Sequence, residues 1–194
     1  MLIFLDTEYT NRERRQLISL GMVTEDGRRT LYVECAGVSP AECSRFVLTH
    51  VWPQLGRDHA AIGDPLALQH RLRDWLVSQP RHVQLACDSS IDVELLRGAL
   101  AAPLPPNVDP ICYDLRPLID AAVYHQAVCR YHAAADHPWH HALHDAHAHR
   151  WGWLAWQDEQ RRRKAGSTTK QDVSPDKGEG RTIGASFKET KPRS

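Results

Sequence analysis

The sequence predicts an α/β protein whose mixed sheet is flanked by helices. Three β-rich segments follow one another within the first 35 residues, and after them short strands alternate with helix-spaced apolar sets. A meander followed by strands alternating with helices implies both antiparallel and parallel pairing. At 42% hydrophobic and 25% charged residues, the composition is that of a globular chain, neither fibrous nor wholly disordered.

Residues 1–7 are the first apolar, β-prone run, and 16–24 (QLISLGMVT) the second, closed by the turn signal Glu25, Asp26, Gly27 and Arg28. Residues 29–35 return as the hairpin partner. The stretch 39–80 reads as a helical excursion punctuated by Pro53 and Pro65, with Leu66, Leu68, Leu72, Trp75 and Leu76 near one helical stripe. A short strand at 83–87 precedes a helix at 91–100, which the prolines at 103, 105, 106 and 110 stop. A further strand is expected at 111–113 and helix over 114–134. After Pro138, a last helix is expected over about 140–157.

Residues 1–157 form the expected domain, long enough for one core. Residues 158–194 are expected to be a disordered, net basic tail, because Val173, Ile183 and Phe187 are the only sizeable apolar residues beyond Arg161. All five lysines lie in that tail, which holds 10 basic against 6 acidic residues, although the whole chain has net charge zero. No chain-wide field would draw in nucleic acid, so such a partner must be engaged locally. The 161–164 basic run is either a nucleic-acid contact or a solvated helix end. The opening apolar run is four residues long and ends in a carboxylate, so no signal peptide is expected. No apolar stretch reaches membrane-spanning length, and five scattered cysteines suit reduced thiols. The expected compartment is the cytoplasm, with no membrane partner.

Three groups of acids stand out. Asp6 and Glu8, two apart on a strand, leave the same face and can reach one point, while Thr7 faces away. Two carboxylates beside the apolar Leu2 to Leu5 run are costly without a cation, the alternative being a strand end frayed into solvent. Asp88 and Asp92 compete at the next strand-to-helix junction: Asp88 as an N-cap or turn residue, Asp92 on the first turn of the helix, where stabilisation of the helix dipole is the plainer role. The third group is the segment His140, His141, Ala142, Leu143, His144, Asp145. On a regular helix His140 and Asp145 diverge by about 140°, so they converge only if His140 sits in the entry loop. A zinc site is the competing reading, since His141, Asp145 and His149 have i, i+4, i+8 spacing.

Taken together, the set (Asp6-Thr7-Glu8, an Asp heading a helix, and His-x-Ala-Leu-x-Asp-Ala) resembles the three motifs of the DEDDh family of 3'-5' exonucleases. The matched residues are Asp6, Glu8, Asp92, His140 and Asp145. The opening FLDTEYT and LISLGMVTEDGR resemble, within that family, the small polyadenylate-specific exoribonucleases of the RNase AS group. The likeness runs from Met1 to about Trp156, weakly over 37–82. It departs in the second motif, where Ser89 and Ile91 stand in place of Asn and Phe.

The resemblance implies a ribonuclease H-like fold, a homodimer, and two Mg2+ or Mn2+ ions per site held by Asp6, Glu8, Asp92 and Asp145. Asp6 would bridge both ions, Glu8 and Asp145 would hold the one carrying the water, and Asp92 would reach the one at the leaving group. His140, with an ordinary imidazole pKa of about 6.5, would be the general base. Arg12, Arg14 and Arg15 in the loop after the first strand are candidates for phosphates and Tyr9 for stacking; a solvated loop is the alternative. Trp151, Trp153 and Trp156 read as core or dimer contacts. The expected substrate is single-stranded RNA, with adenine-rich 3' ends implied by the likeness. A DNA 3'-exonuclease and a catalytically silent binding module are the competing functions.

Overall fold

The computed structural model describes residues 1–80 and 82–169. The chain divides into two units, Met1–Gln160 and Arg161–Ser194. In the first, β1 (Leu2–Tyr9), β2 (Leu17–Thr24) and β3 (Thr30–Cys35) form the expected antiparallel meander. Gly27, at φ +74°, takes the left-handed position of the connecting turn, and Asp26 Oδ1 accepts from Thr24 Oγ1 and the Arg28 amide. Three short strands, β4 (Ile62–Gly63), β5 (Gln84–Cys87) and β6 (Tyr113–Asp114), complete a six-stranded mixed sheet of order β4-β3-β2-β1-β5-β6. β1 lies between antiparallel β2 and parallel β5.

Alternation along β1 sorts the core into two layers. Ile3 and Leu5 meet Leu68, Leu72 and Leu76 of α2 (Pro65–Val77) and Leu96 and Leu100 of α3 (Ser90–Leu100). Leu2 and Phe4 face the other way, where α4 (Arg116–Ile119), α5 (Ala122–His132) and α6 (Ala142–Thr169) contribute Leu118, Tyr124, Ala146 and Trp153. Covered on both faces, β2 is buried at all eight positions, so it shows no polar alternation. Asp64 caps α2 by accepting from the Ala67 amide at 2.8 Å, with Pro65 in the first turn, and Ser89 caps α3 by accepting from the Ile91 amide.

Several expectations are corrected. The 39–80 excursion contains only one long helix, α2; the rest is α1 (Arg45–His50) between two 3-10 turns, plus β4, whose two residues are too few for a periodic signal. The strand expected at 111–113 begins at Tyr113, because the Ile111 amide is taken by Asp109 Oδ1 in a local turn. The helical 114–134 stretch is split into α4 and α5. The last helix starts at Ala142 and runs to Thr169, so residues 158–169 of the expected disordered tail are helical. Gln160, the arginines, Lys164 and Ala165 are strong helix formers, a local preference that counts without apolar burial. The rest of that tail, 170–194, lies outside the described residues. Among the described residues, no helix is long and apolar enough to cross a membrane.

Candidate metal and catalytic site

The alternation that splits the core also directs the acids at the end of β1. Asp6 and Glu8 continue the Phe4 face, under α6, while Thr7 continues the Leu5 face, toward α3. Asp6 pairs in register with Gly21 on β2. A Cβ on Gly21 would stand 2.3 Å from the Leu143 amide nitrogen and 2.4 Å from the Ala142 carbonyl carbon. The first turn of α6 therefore rests directly on the β2 backbone beside Asp6, a seat that only glycine allows.

That seating brings in the third acidic group. Asp145, in the first turn of α6, accepts from the His141 amide through Oδ2 at 3.1 Å, which fixes its carboxylate. His140 lies in the entry loop, at φ +61°, a left-handed conformation that costs a non-glycine residue about 1–2 kcal/mol. The Gln54 carboxamide holds this loop: its Nε2 lies 2.6, 2.8 and 3.0 Å from the carbonyls of His50, Trp139 and His140. Glu8, His140 and Asp145 each place one ligand atom within 4.8 Å of the others. The His141 ring instead stacks on Tyr32, with centroids 4.4 Å apart.

The second group arrives from the opposite face of the sheet. Asp92, in the first turn of α3, is 3% exposed, and Thr7 Oγ1 donates to its Oδ1 at 2.6 Å. Its other oxygen, Oδ2, is buried with no hydrogen-bond partner. Asp88, just before the Ser89 cap, joins Asp6 and His149 in a second group with ligand atoms within 4.8 Å. Of the two competing acids, Asp88 shares a ligand group with Asp6, whereas Asp92 belongs to neither group and acts on Asp6 through its charge. The helix-spaced zinc set does not gather: His149 faces Asp6 and Asp88, apart from the group that contains Asp145.

Electrostatics sets this cluster apart from an ordinary polar surface. Burial, then the charges of Asp92, Asp145, Glu8 and Asp88, hold the Asp6 carboxyl well above the usual carboxylate range. Burial, then Asp145 and Asp92, push Glu8 up to about 8. Asp92 is pushed up to about 7, chiefly by burial, against the lowering effect of the Thr7 hydrogen bond. Among the described residues, no arginine or lysine pairs with Asp6, Glu8, Asp92 or Asp145. Such a group must either hold protons or be compensated by bound cations. Hard oxygen donors and the orphaned Asp92 Oδ2 fit Mg2+ or Mn2+. Burial lowers the His140 pKa, so its imidazole is neutral at pH 7 and able to accept a proton.

A cavity of about 590 Å³ opens beside Glu8, lined by Tyr9, Arg12, Ser44 and Phe46 among others. Of the four expected substrate contacts, Tyr9 and Arg12 reach it. Arg14 pairs with Glu42 and Arg15 with Glu94, 3.3 Å away, and neither lines the cavity. A second cavity of about 560 Å³, between α2 and α3, holds none of the clustered acids. The tryptophans divide: Trp153 is core, packed on Phe4 at 5.8 Å between centroids, and Trp151 is exposed.

Three contributors have no signal in the sequence, and a fourth, His149, enters there only through the zinc alternative. Phe46, 51% exposed, sets its ring edge-on to His140 at 4.8 Å, linking the cavity to the imidazole. Gln54 fixes the loop. His132 places Nε2 3.2 Å from Asp145 Oδ1, while its ring stacks on Trp139 and its Nδ1 donates to the His137 carbonyl. His149 flanks Asp6. None belongs to a motif; only a helix-spaced count of histidines pointed to His149. The chain matches no known family model and no curated protein.

Proposed function

We propose that the protein is a metal-dependent 3'-5' exoribonuclease of the DEDDh type, built on a ribonuclease H-like sheet. The observation that carries the reading is that acids from three separate segments lie close together without an arginine or lysine partner among the described residues: Glu8 and Asp145 share a ligand group with His140, Asp6 belongs to a second group, and Asp92 acts on Asp6 and Glu8 through its charge. A meander followed by parallel strands, with β1 central, supports the fold assignment. In a binding module with structural acids, paired or solvated carboxylates would be expected instead.

Asp6 belongs to one ligand group and feels the charges of Glu8 and Asp145 in the other, so it would contribute to holding two ions. Glu8 and Asp145 would hold the one near His140, and Asp92 would face the other. Two such ions would supply an activated water and a stabilised leaving oxygen for in-line phosphodiester hydrolysis. His140, held by Gln54, accepts the proton of the attacking water. Arg12 meets the terminal phosphate, and Tyr9 with Phe46 offers aromatic faces to the last base.

The test uses 3'- and 5'-labelled oligo(A), oligo(U) and oligo(dA) with Mg2+, Mn2+ or EDTA, comparing wild type with Asp6→Ala. Stepwise release of nucleotides from the 3' end of RNA, abolished by EDTA and by the substitution, is the expected result. Faster release from oligo(A) than from oligo(U) would support the adenine preference. Degradation confined to oligo(dA) would move the proposal to a DNA exonuclease, and no degradation with either ion would overturn it.

A further inference from the structure

We propose that Asp6, Asp88 and His149 form a binding site for a divalent first-row transition ion, in which His149 supplies an imidazole nitrogen as a direct ligand. The inference rests on reading the Asp6 cluster as a metal centre, and goes beyond it in assigning direct ligands to Asp88 and His149.

The geometry supports a shared ion better than a direct contact. His149 Nε2 and Asp88 Oδ1 are 3.7 Å apart, beyond hydrogen-bond range. Two ligands of a tetrahedral ion at about 2.1 Å are separated by roughly 3.4 Å, so 3.7 Å is close to the spacing of two donors on one cation. The third donor, an Asp6 oxygen, falls within the same 4.8 Å group.

His149 is also prepared for ligation. Its Nδ1 lies 2.8 Å from the Tyr124 hydroxyl. With Nδ1–H donating to that oxygen, Nε2 presents its lone pair toward the two carboxylates, an outer-shell arrangement that fixes both tautomer and ring in metal sites. Tyr124 is itself immobilised: it is 1% exposed, and a Cβ on Gly152 would stand 2.7 Å from its ring. A second, independent sign is Asp92 Oδ2, an oxygen of a side chain 3% exposed, unpartnered, and close enough to Asp6 and Asp88 for the three charges to act on one another.

The donor set decides the class of ion. One imidazole with two carboxylates suits the Mn2+ to Zn2+ series, whereas Mg2+ favours oxygen ligands and retained water. The Glu8 and Asp145 half also has an imidazole beside it, His140, and what sets His149 apart is the Tyr124 hydroxyl that holds its Nδ1. Zn2+ or Mn2+ would therefore be retained by the His149 group in preference to Mg2+.

The test uses the full-length protein stripped with EDTA and loaded with Mn2+ alone. Bound ions are counted by electron paramagnetic resonance of the free ion, and imidazole ligation is read from nitrogen coupling in pulsed spectra. Wild type and His140→Gln should each hold two ions and show the coupling. His149→Gln should lose the coupling and one ion, and Asp88→Asn should weaken that ion tenfold or more. Tyr124→Phe, which keeps the packing, should weaken it about tenfold and covers the case in which His149→Gln fails to fold. Coupling that survives His149→Gln, or two ions bound by wild type without coupling, would overturn this inference and leave the exonuclease reading intact. Failure of wild type to bind any Mn2+ would overturn both.

Discussion

Replacing Glu8 by glutamine is expected to stabilise the metal-free protein at alkaline pH and to reduce its response to metal. Glu8 titrates at about 8 in the folded chain, against an ordinary 4.5. Between those values the folded state keeps a proton that the unfolded state has released, so stability falls as pH rises through the folded pKa. From pH 6.5 to 8.5 this costs the wild type about 2 kcal/mol, a loss that the Glu8→Gln variant does not share. Comparing the two proteins cancels the histidines (His140, His141, His144, His147 and His149), whose lowered pKa values work in the opposite direction below pH 7. For a domain of this size, 2 kcal/mol is about 4–8 °C in Tm. Urea and thermal unfolding in EDTA should therefore show the Glu8→Gln curve rising away from the wild-type curve across this interval. Saturating Mg2+ or Mn2+ should reverse the order, since the ion held by Glu8, at 100 times its Kd, adds about 2.7 kcal/mol that the variant lacks. Parallel stability curves in EDTA, or equal gains on adding metal, would refute the argument that Glu8 is held protonated by burial and released by a cation.

Two further outcomes follow from the way the site is held. Gln54→Ala frees the loop that holds His140 in its left-handed conformation, so kcat should fall about 10- to 100-fold, the equivalent of about 1.4–2.8 kcal/mol, with KM and Mn2+ stoichiometry unchanged in steady-state and dialysis measurements. Gly21→Ala forces a methyl group into the α6 backbone and should cost at least the usual range of about 1–3 kcal/mol for an overpacked core, read by urea unfolding, together with weaker metal binding because Asp145 moves with the helix.

The parts of this fold and site that were legible in the sequence are those encoded by local pattern. The three-strand meander was readable because its apolar runs are long and separated by turn residues, and the convergence of Asp6 and Glu8 because a strand has a period of two. β4, two residues long, carries no periodicity and exists through pairing with β3, and β6, expected at 111–113, forms only where Tyr113 and Asp114 pair with β5. The extension of α6 to Thr169 was hidden because the expectation weighed burial and set aside the helix preference of an arginine-rich run. The pairing of Arg14 with Glu42 and of Arg15 with Glu94 was hidden because sequence does not show partners that come from other segments. Gln54, Phe46 and His132 were invisible for the same reason: each acts across the fold, on a loop or acid far away in the chain. The Gly in LISLGMVT was in plain view, but its purpose, to seat a helix, needs the helix in place.

The order in which these groups occur along the chain has a consequence for biosynthesis. Asp6 and Glu8 leave the ribosome before His140, Asp145 and His149, and the turn that carries Asp145 must then settle on β2. A chain interrupted anywhere before Asp145 holds at most three of the four carboxylates. For an exoribonuclease of the proposed kind, translation then yields no active fragment beside the message and ribosome that are producing it.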